Sequence, residues 1–275
     1  MGQIGNLRDA GPLKPLRRDN QSVDQRPKCC ALCGSSEQLV RSHLLPAFLY
    51  RILGGARNPV RVNARIAYST SYQLRRHLLC RACEHRFNVG GEKWIAANCA
   101  RTVAKSPIQL ALEAAEPIYT WHAAKVYSAQ KTDGLDPTKI TYFAASVFWR
   151  ATATEWDCLP PLSFGPYEPE FRGFLLGLSG FPLSASLVVT VSNSDETRLA
   201  MAAPHGTRKD GYHQFGFFIP GMAFELFLGG KVPEPIRSCA CFVRAPLRPI
   251  FLTGLYEHAT RNGLVRLLKT AKHAN

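Results

Sequence analysis

Cys30-Ala-Leu-Cys33-Gly34 and, 46 residues further on, Leu79-Cys80-Arg-Ala-Cys83-Glu84-His85 are the stretches on which the reading of this 275-residue chain turns. Each C-x-x-C is a clip whose two sulfurs can sit on one metal. Two clips make the tetrahedral four-thiolate shell that Zn2+ prefers, and a closed shell of this kind is structural rather than catalytic. Cys29-x3-Cys33 is also an allowed spacing. Cys30 is preferred because Cys30-Ala-Leu-Cys33-Gly34 is the usual knuckle, with the glycine freeing the turn. Nine cysteines is an odd number, and the N-terminal MGQIGNLRDAG has no apolar core of a secretory signal. Both features argue for metal binding over a disulfide framework. The remaining cysteines (Cys29, Cys99, Cys158, Cys239, Cys241) read as buried thiols.

Charge points to the same region. The chain carries 34 Lys+Arg against 20 Asp+Glu, a net of +14. Residues 27–105 hold 13 basic and 3 acidic residues, a net of +10, whereas 106–275 hold 16 and 14. A basic field concentrated around a metal motif suits a polyanion, most simply nucleic acid. Hydrophobic residues at 46% and charged residues at 20% exclude general disorder. The longest uncharged run, between Arg172 and Asp195, is broken by Pro182 and three glycines and cannot span a membrane. The expectation is a soluble, cytoplasmic protein. No nucleophile elbow, phosphate-binding glycine loop or zincin motif is present to name another enzyme class.

Outward from the clips, residues 1–26 read as a flexible N-terminal arm and 27–105 as the zinc-bound module. A knuckle and short strand run through 29–45, a short helix through 47–53, and β-like or irregular chain through 58–76. A helix beginning at Glu84 is expected to reach about Ala104, disturbed at Gly90-Gly91. Residues 106–136 read as a helical connector and 137–275 as a C-terminal α+β domain. Asp136 and Pro137 are N-cap and first-turn signals for a helix striped by Ile140, Phe143, Ala144, Val147 and Ala151. Strands are expected at 174–178, 187–191, 215–219, 224–228 and 239–243, and a final amphipathic helix at Leu264–Ala271. Phe215, Phe217, Phe218, Phe224 and Phe227 alternate like sheet core rather than a base-stacking platform.

With Ser42-His43-Leu44-Leu45-Pro46 after the first clip and Cys83-Glu84-His85 closing the second, the sequence resembles the HNH endonuclease (ββα-metal) family in a zinc-stapled form. Phe48, Phe87, Glu92 and the Phe143–Arg150 segment fit the same pattern, so the resemblance is strong over 29–100 and weaker beyond. The fold expected for the whole chain is α+β: a small zinc-stapled ββα module, a helical connector and a mixed C-terminal domain. The resemblance implies hydrolysis of DNA phosphodiester bonds, with His43 as general base and Glu84 at a catalytic Mg2+ or Mn2+. Arg41, Arg75, Arg76, Arg81 and Arg86 are the natural phosphate contacts. The sequence departs from the family at Ser42, where an acidic residue or His is common, and at Glu84, where His is usual. The family's middle Asn has no clear match, Arg75 lying near its place and Asn63 upstream. Glu84, Asn88 and Glu92 would share a face of a regular helix and offer another oxygen set. The alternative is a catalytically inactive, zinc-stabilised nucleic-acid-binding module. A third reading gives the working role to the C-terminal half, as a sensor or protein-binding domain. Two sites would be needed to cut both strands of a duplex, and a homo-oligomer or a partner protein bound through the C-terminal domain is in view, in the setting of defence or mobile-element proteins.

Overall fold

The computed structural model describes residues 28–54, 60–62, 67–69, 73–121, 124–157, 159–238, 240–241 and 249–253. The expected N-terminal arm and C-terminal helix, together with Asn63, Cys158 and Cys239, lie outside them.

The fold is mixed α+β. Strand β1 (Leu39–His43) leads to α1 (Ala47–Gly54), a short antiparallel pair β2 (Val60–Val62) and β3 (Ala67–Ser69), and then β4 (Arg75–Cys80), which returns antiparallel to β1. Helix α2 (Arg81–Phe87) starts directly after β4 and continues through a π turn (Asn88–Glu92) into α3 (Lys93–Asn98). Two antiparallel strands followed by a helix therefore surround the cysteine clips. The helical run starts three residues earlier than expected and stops at Asn98 rather than near Ala104.

Next come α4 (Pro107–Ala114), β5 (Tyr119–Trp121), β6 (Ala124–Ser128), α5 (Pro137–Ala153) and α6 (Glu168–Leu176). They are followed by β7 (Ala185–Ser192), β8 (Ala202–Lys209), β9 (Tyr212–Ile219), β10 (Met222–Leu228), α7 (Glu234–Ser238) and β11 (Pro249–Thr253). Seven of the strands form one sheet in the order β5-β6-β11-β7-β10-β9-β8, antiparallel except where β11 runs parallel to β7. Residues 106–136 are thus not a helical connector. Only α4 is helical, and the β-favouring Tyr119-Thr120-Trp121 and Val126-Tyr127 enter the sheet.

The segment expected as a strand at 174–178 is instead the end of α6. Phe171, Phe174 and Leu175 stand at helical spacing, Glu168 and Glu170 occupy the first turn, and Gly177 closes the helix at φ +76°. The Leu178 N–H donates to the Gly173 carbonyl (2.8 Å), as such a closure requires. Strand β8 gave no signal because it is an edge strand carrying Pro204 at a register break and the exposed Arg208 and Lys209. Those residues blunt an edge against further pairing. Of the expected strand 239–243, Cys241 sits in a turn and most of the rest lies outside the described residues.

Helix α5 holds the fold together. Asp136 caps it, accepting from the Thr138 and Lys139 N–H groups at 3.0 Å each. From Ile140 to Ala151 every residue but Tyr142 is buried, which marks a helix enclosed on all sides. Phe143 and Phe148 meet Phe217 of the sheet, and Phe143 also meets Phe224. Those phenylalanines are core, in keeping with their alternation. Elsewhere α5 receives Phe87 edge-on against Trp149 and Tyr142. One apolar core consequently runs from Cys30 to Ile250.

The π turn has a packing cause. A Cβ on Gly91 would lie 2.7 Å from the Phe143 backbone nitrogen and 2.8 Å from the Lys139 carbonyl oxygen, and one on Gly90 would enter the Tyr142 ring. Gly91 lets the helical run touch the backbone of α5, and Gly90 leaves room for the Tyr142 ring. Gly91→Ala is expected to cost about 1–3 kcal/mol, since backbone cannot yield as a flexible side chain does. Chemical denaturation checks this, and Gly34→Ser, at a turn glycine with open space around it, supplies a contrast dominated by backbone strain.

Candidate metal centre and the site beside it

The first clip is a tight turn. The Gly34 N–H donates to the Cys30 carbonyl (2.8 Å) with Gly34 at φ +75°, and the Cys30 N–H donates to the Ser35 carbonyl (2.7 Å). A bulge in the β1–β4 pairing leaves Leu78 unmatched, and its carbonyl accepts from the Ala31 N–H at 3.0 Å. That bond fastens the knuckle to the strand carrying the second clip. Cys80 ends β4 and Cys83 lies in the first turn of α2.

The result is a cluster of Cys30, Cys33, Cys80 and Cys83 with all four sulfurs within 4.8 Å of one another. Zinc on four thiolates implies sulfur–sulfur edges of about 3.8 Å, and Cys33 Sγ and Cys80 Sγ stand 3.8 Å apart. The cluster could therefore hold a metal such as zinc without rearrangement. Cys29 is outside the cluster and exposed, not a buried thiol, whereas Cys99 and Cys241 are buried. Burial raises the Cys30 thiol, but hydrogen bonds from the backbone of Cys33, Cys80 and Leu32 outweigh it and bring the group down to about 7. Burial pushes Cys80 and Cys83 up, the latter further raised by the neighbouring thiols. A divalent cation would relieve that crowding by replacing protons.

His43 is half-buried at the end of β1, at the other end of the β1–β4 pairing from Cys80. Its Nε2 is 2.9 Å from Gln73 Oε1 and its ring centroid 6.1 Å from that of Tyr50 on α1. An amide oxygen can only accept, so Nε2 donates and Nδ1 keeps its lone pair. Burial lowers the His43 pKa from 6.5; the Gln73 bond opposes this, the Arg75 and Arg150 cations add to it, and Glu92 opposes it. The ring is accordingly neutral at neutral pH.

Ser42, fully buried, donates from Oγ to Glu84 Oε2 at 2.9 Å. The serine thus steadies the helix carboxylate. Glu92 is not part of an oxygen set with Glu84 and Asn88, because the π turn breaks helical regularity and Glu92 pairs with Arg150. Arg150 is 1% exposed, lies 4.8 Å over the Phe87 ring, and has Nη1 3.4 Å from the Leu44 carbonyl. Removing one partner of such a buried pair typically costs about 3–5 kcal/mol.

Strand register sorts the arginines. Arg75 pairs opposite His43 and Arg41 opposite His77, which puts these four residues on one face of the ribbon. His77 Nδ1 donates to the Leu39 carbonyl at 3.2 Å. Arg81 is exposed at the start of α2. Arg76 instead forms an ion pair with Asp157, and Arg86 donates to the Leu176 carbonyl at 3.1 Å, so both serve tertiary contacts. Gln73, Tyr50 and Arg150 were not singled out from sequence as parts of this site. Arg150 alone had a local signal, as the one charged residue between Ile140 and Ala153.

Fold and site together define an α+β protein with a four-cysteine centre able to hold a metal such as zinc. Compared with protein-family models, curated proteins and solved structures, the chain finds no match. Among the described residues, no helix is long and apolar enough to cross a membrane.

Proposed function

We propose that the chain is an HNH-like, metal-dependent nuclease that hydrolyses DNA phosphodiester bonds, its module held by Zn2+ on Cys30, Cys33, Cys80 and Cys83. The observation that carries this reading is His43: a strand-end imidazole, depressed in pKa, whose Nε2–H is bound to Gln73 and whose Nδ1 is left as the base. In that role Nδ1 takes a proton from the attacking water. Gln73, which holds the His43 ring, lies two residues before Arg75, near the place where the family's middle Asn has no match.

Glu84 is the residue that would hold Mg2+ or Mn2+. Magnesium commonly takes only one or two protein carboxylates, with water and substrate phosphate completing its shell, so a single carboxylate steadied by Ser42 is compatible with it. Bound there, the ion would stabilise negative charge developing on the phosphate. Arg41 and Arg75 would lie along the nucleic-acid backbone with Arg81. Removing Arg41 and Arg75 is expected to weaken DNA binding across sequences and lower the salt slope by about 1 for each, measured by titration at several salt concentrations.

The second reading is a zinc-stabilised nucleic-acid-binding module without catalysis. One observation favours it: among the described residues, the four cysteines are the only group of three or more His, Cys, Asp or Glu close enough to share an ion. Nicking of supercoiled plasmid with Mg2+ or Mn2+ separates the two. Salt-sensitive binding without nicking under any divalent ion would select the second, and no binding at low salt would remove both. A single site of this kind cuts one strand, so open-circular product should precede linear product unless copies pair.

A further inference from the structure

We propose that Arg150 is a positioning residue for His43, carried on α5 and set in place by Glu92, so that the second half of the chain completes the site built on residues 39–92. The inference rests on the reading of His43 as a base. Arg150 and Glu92 are 58 residues apart in sequence, yet the Arg150 guanidinium pairs with Glu92 through Nη2 and reaches through Nη1 to the carbonyl of Leu44, the residue after His43. The Leu44 N–H is held in turn by the Leu74 carbonyl at 3.0 Å, beside Gln73. His43 is thus fixed by its ring through Gln73 and by its following peptide through Leu74 and Arg150.

Stability alone does not account for the pair. A buried ion pair can often be replaced by apolar residues of similar volume at no cost, and here the Arg150 Nε has no hydrogen-bond partner. The charges acting on His43 come from three elements, Arg75 of β4, Glu92 of the π turn and Arg150 of α5, while the neutral Tyr50 ring of α1 lies against the imidazole. Arg150 and Glu92 act on the imidazolium in opposite senses. Removing its members in turn should therefore move the His43 titration in opposite directions, while the loss of nicking reports whether the ring is still held in place.

The test compares full-length wild type, Glu92→Gln, Arg150→Lys and the double variant Arg150→Met/Glu92→Gln, in which both buried charges are removed. His43 ring signals are followed by NMR against pH, and plasmid nicking is followed in parallel. The His43 pKa should fall in Glu92→Gln and rise again in the double variant. Nicking should drop about 10–100-fold in the double variant with zinc content unchanged, and the acid limb should move with the ring titration. Arg150→Lys keeps the charge but loses the fork; it should titrate near wild type and still lose nicking, which decides the matter if the double variant does not fold. A folded double variant that nicks at the wild-type rate with an unmoved acid limb overturns the proposal. If the wild type does not nick, the nuclease reading fails on its own, and coincident His43 titrations in all four proteins then overturn the positioning role.

Discussion

Cys83→Ser is expected to abolish stoichiometric zinc binding and to collapse the region around it. Structural zinc on thiolates carries apparent binding energies of about 10–16 kcal/mol in small modules, comparable with or larger than the whole stability of a typical domain. Cys83 is 3% exposed, on the face of α2 turned toward the core. Its serine replacement leaves a hydroxyl among three thiols and an incomplete shell. Metal analysis should give one zinc per wild-type chain and little in the variant, with thermal unfolding well below that of wild type. The same fall should follow treatment of wild type with a strong chelator. A wild-type protein that purifies without zinc, and unfolds at the same temperature with and without chelator, would remove the metal centre from this account.

His43→Ala should reduce plasmid nicking by about 10²–10⁴-fold, the span of a lost general base, while leaving the fold nearly intact. The side chain is half-buried and makes one side-chain hydrogen bond, so its removal should cost about 1 kcal/mol. The wild-type pH profile should show an acid limb below pH 6.5, because burial depresses the His43 pKa from that value and the protonated ring cannot act as a base. Stability follows the same sign: protonating a ring whose folded pKa lies below the unfolded one disfavours the fold, so stability should fall as pH drops through 6.5. Unchanged nicking by His43→Ala would leave the basic ribbon as a binding surface and move any catalysis elsewhere.

The parts of this molecule that could be read from sequence are those with dense local signals. The two cysteine clips needed only spacing and redox context. Helix α5 was announced by Asp136 and Pro137, and β7, β9 and β10 by short apolar runs between turns. The misreadings have physical reasons. Phe174–Leu178 looks like a strand only if Phe171 and the Gly177 stop are ignored. An edge strand such as β8 has no buried face on both sides to impose a pattern, and β5 is only three residues long. At the site, His43 and Glu84 lay within recognisable motifs, but the Gln73 bond and the Arg150–Glu92 pair join residues 30 and 58 positions apart. Charge counting located the basic region, but it could not tell that Arg76 and Arg86 are engaged with Asp157 and Leu176 while Arg41 and Arg75 are exposed on the face that carries His43.

The close approach at Gly90 and Gly91 has a consequence for how such a chain can vary. Two positions with no side chain set the shape that residues 139, 142 and 143, some fifty positions later, must present. A larger residue at Gly91 would need a displaced α5 and one at Gly90 a displaced Tyr142 ring, and a displaced α5 would shift the phenylalanines that meet the sheet and the arginine that reaches Leu44. Change at the end that carries the four cysteines is therefore mechanically tied to change in the sheet. Segments far apart along the chain would have to drift together, with the missing side chains acting as the gauge between them.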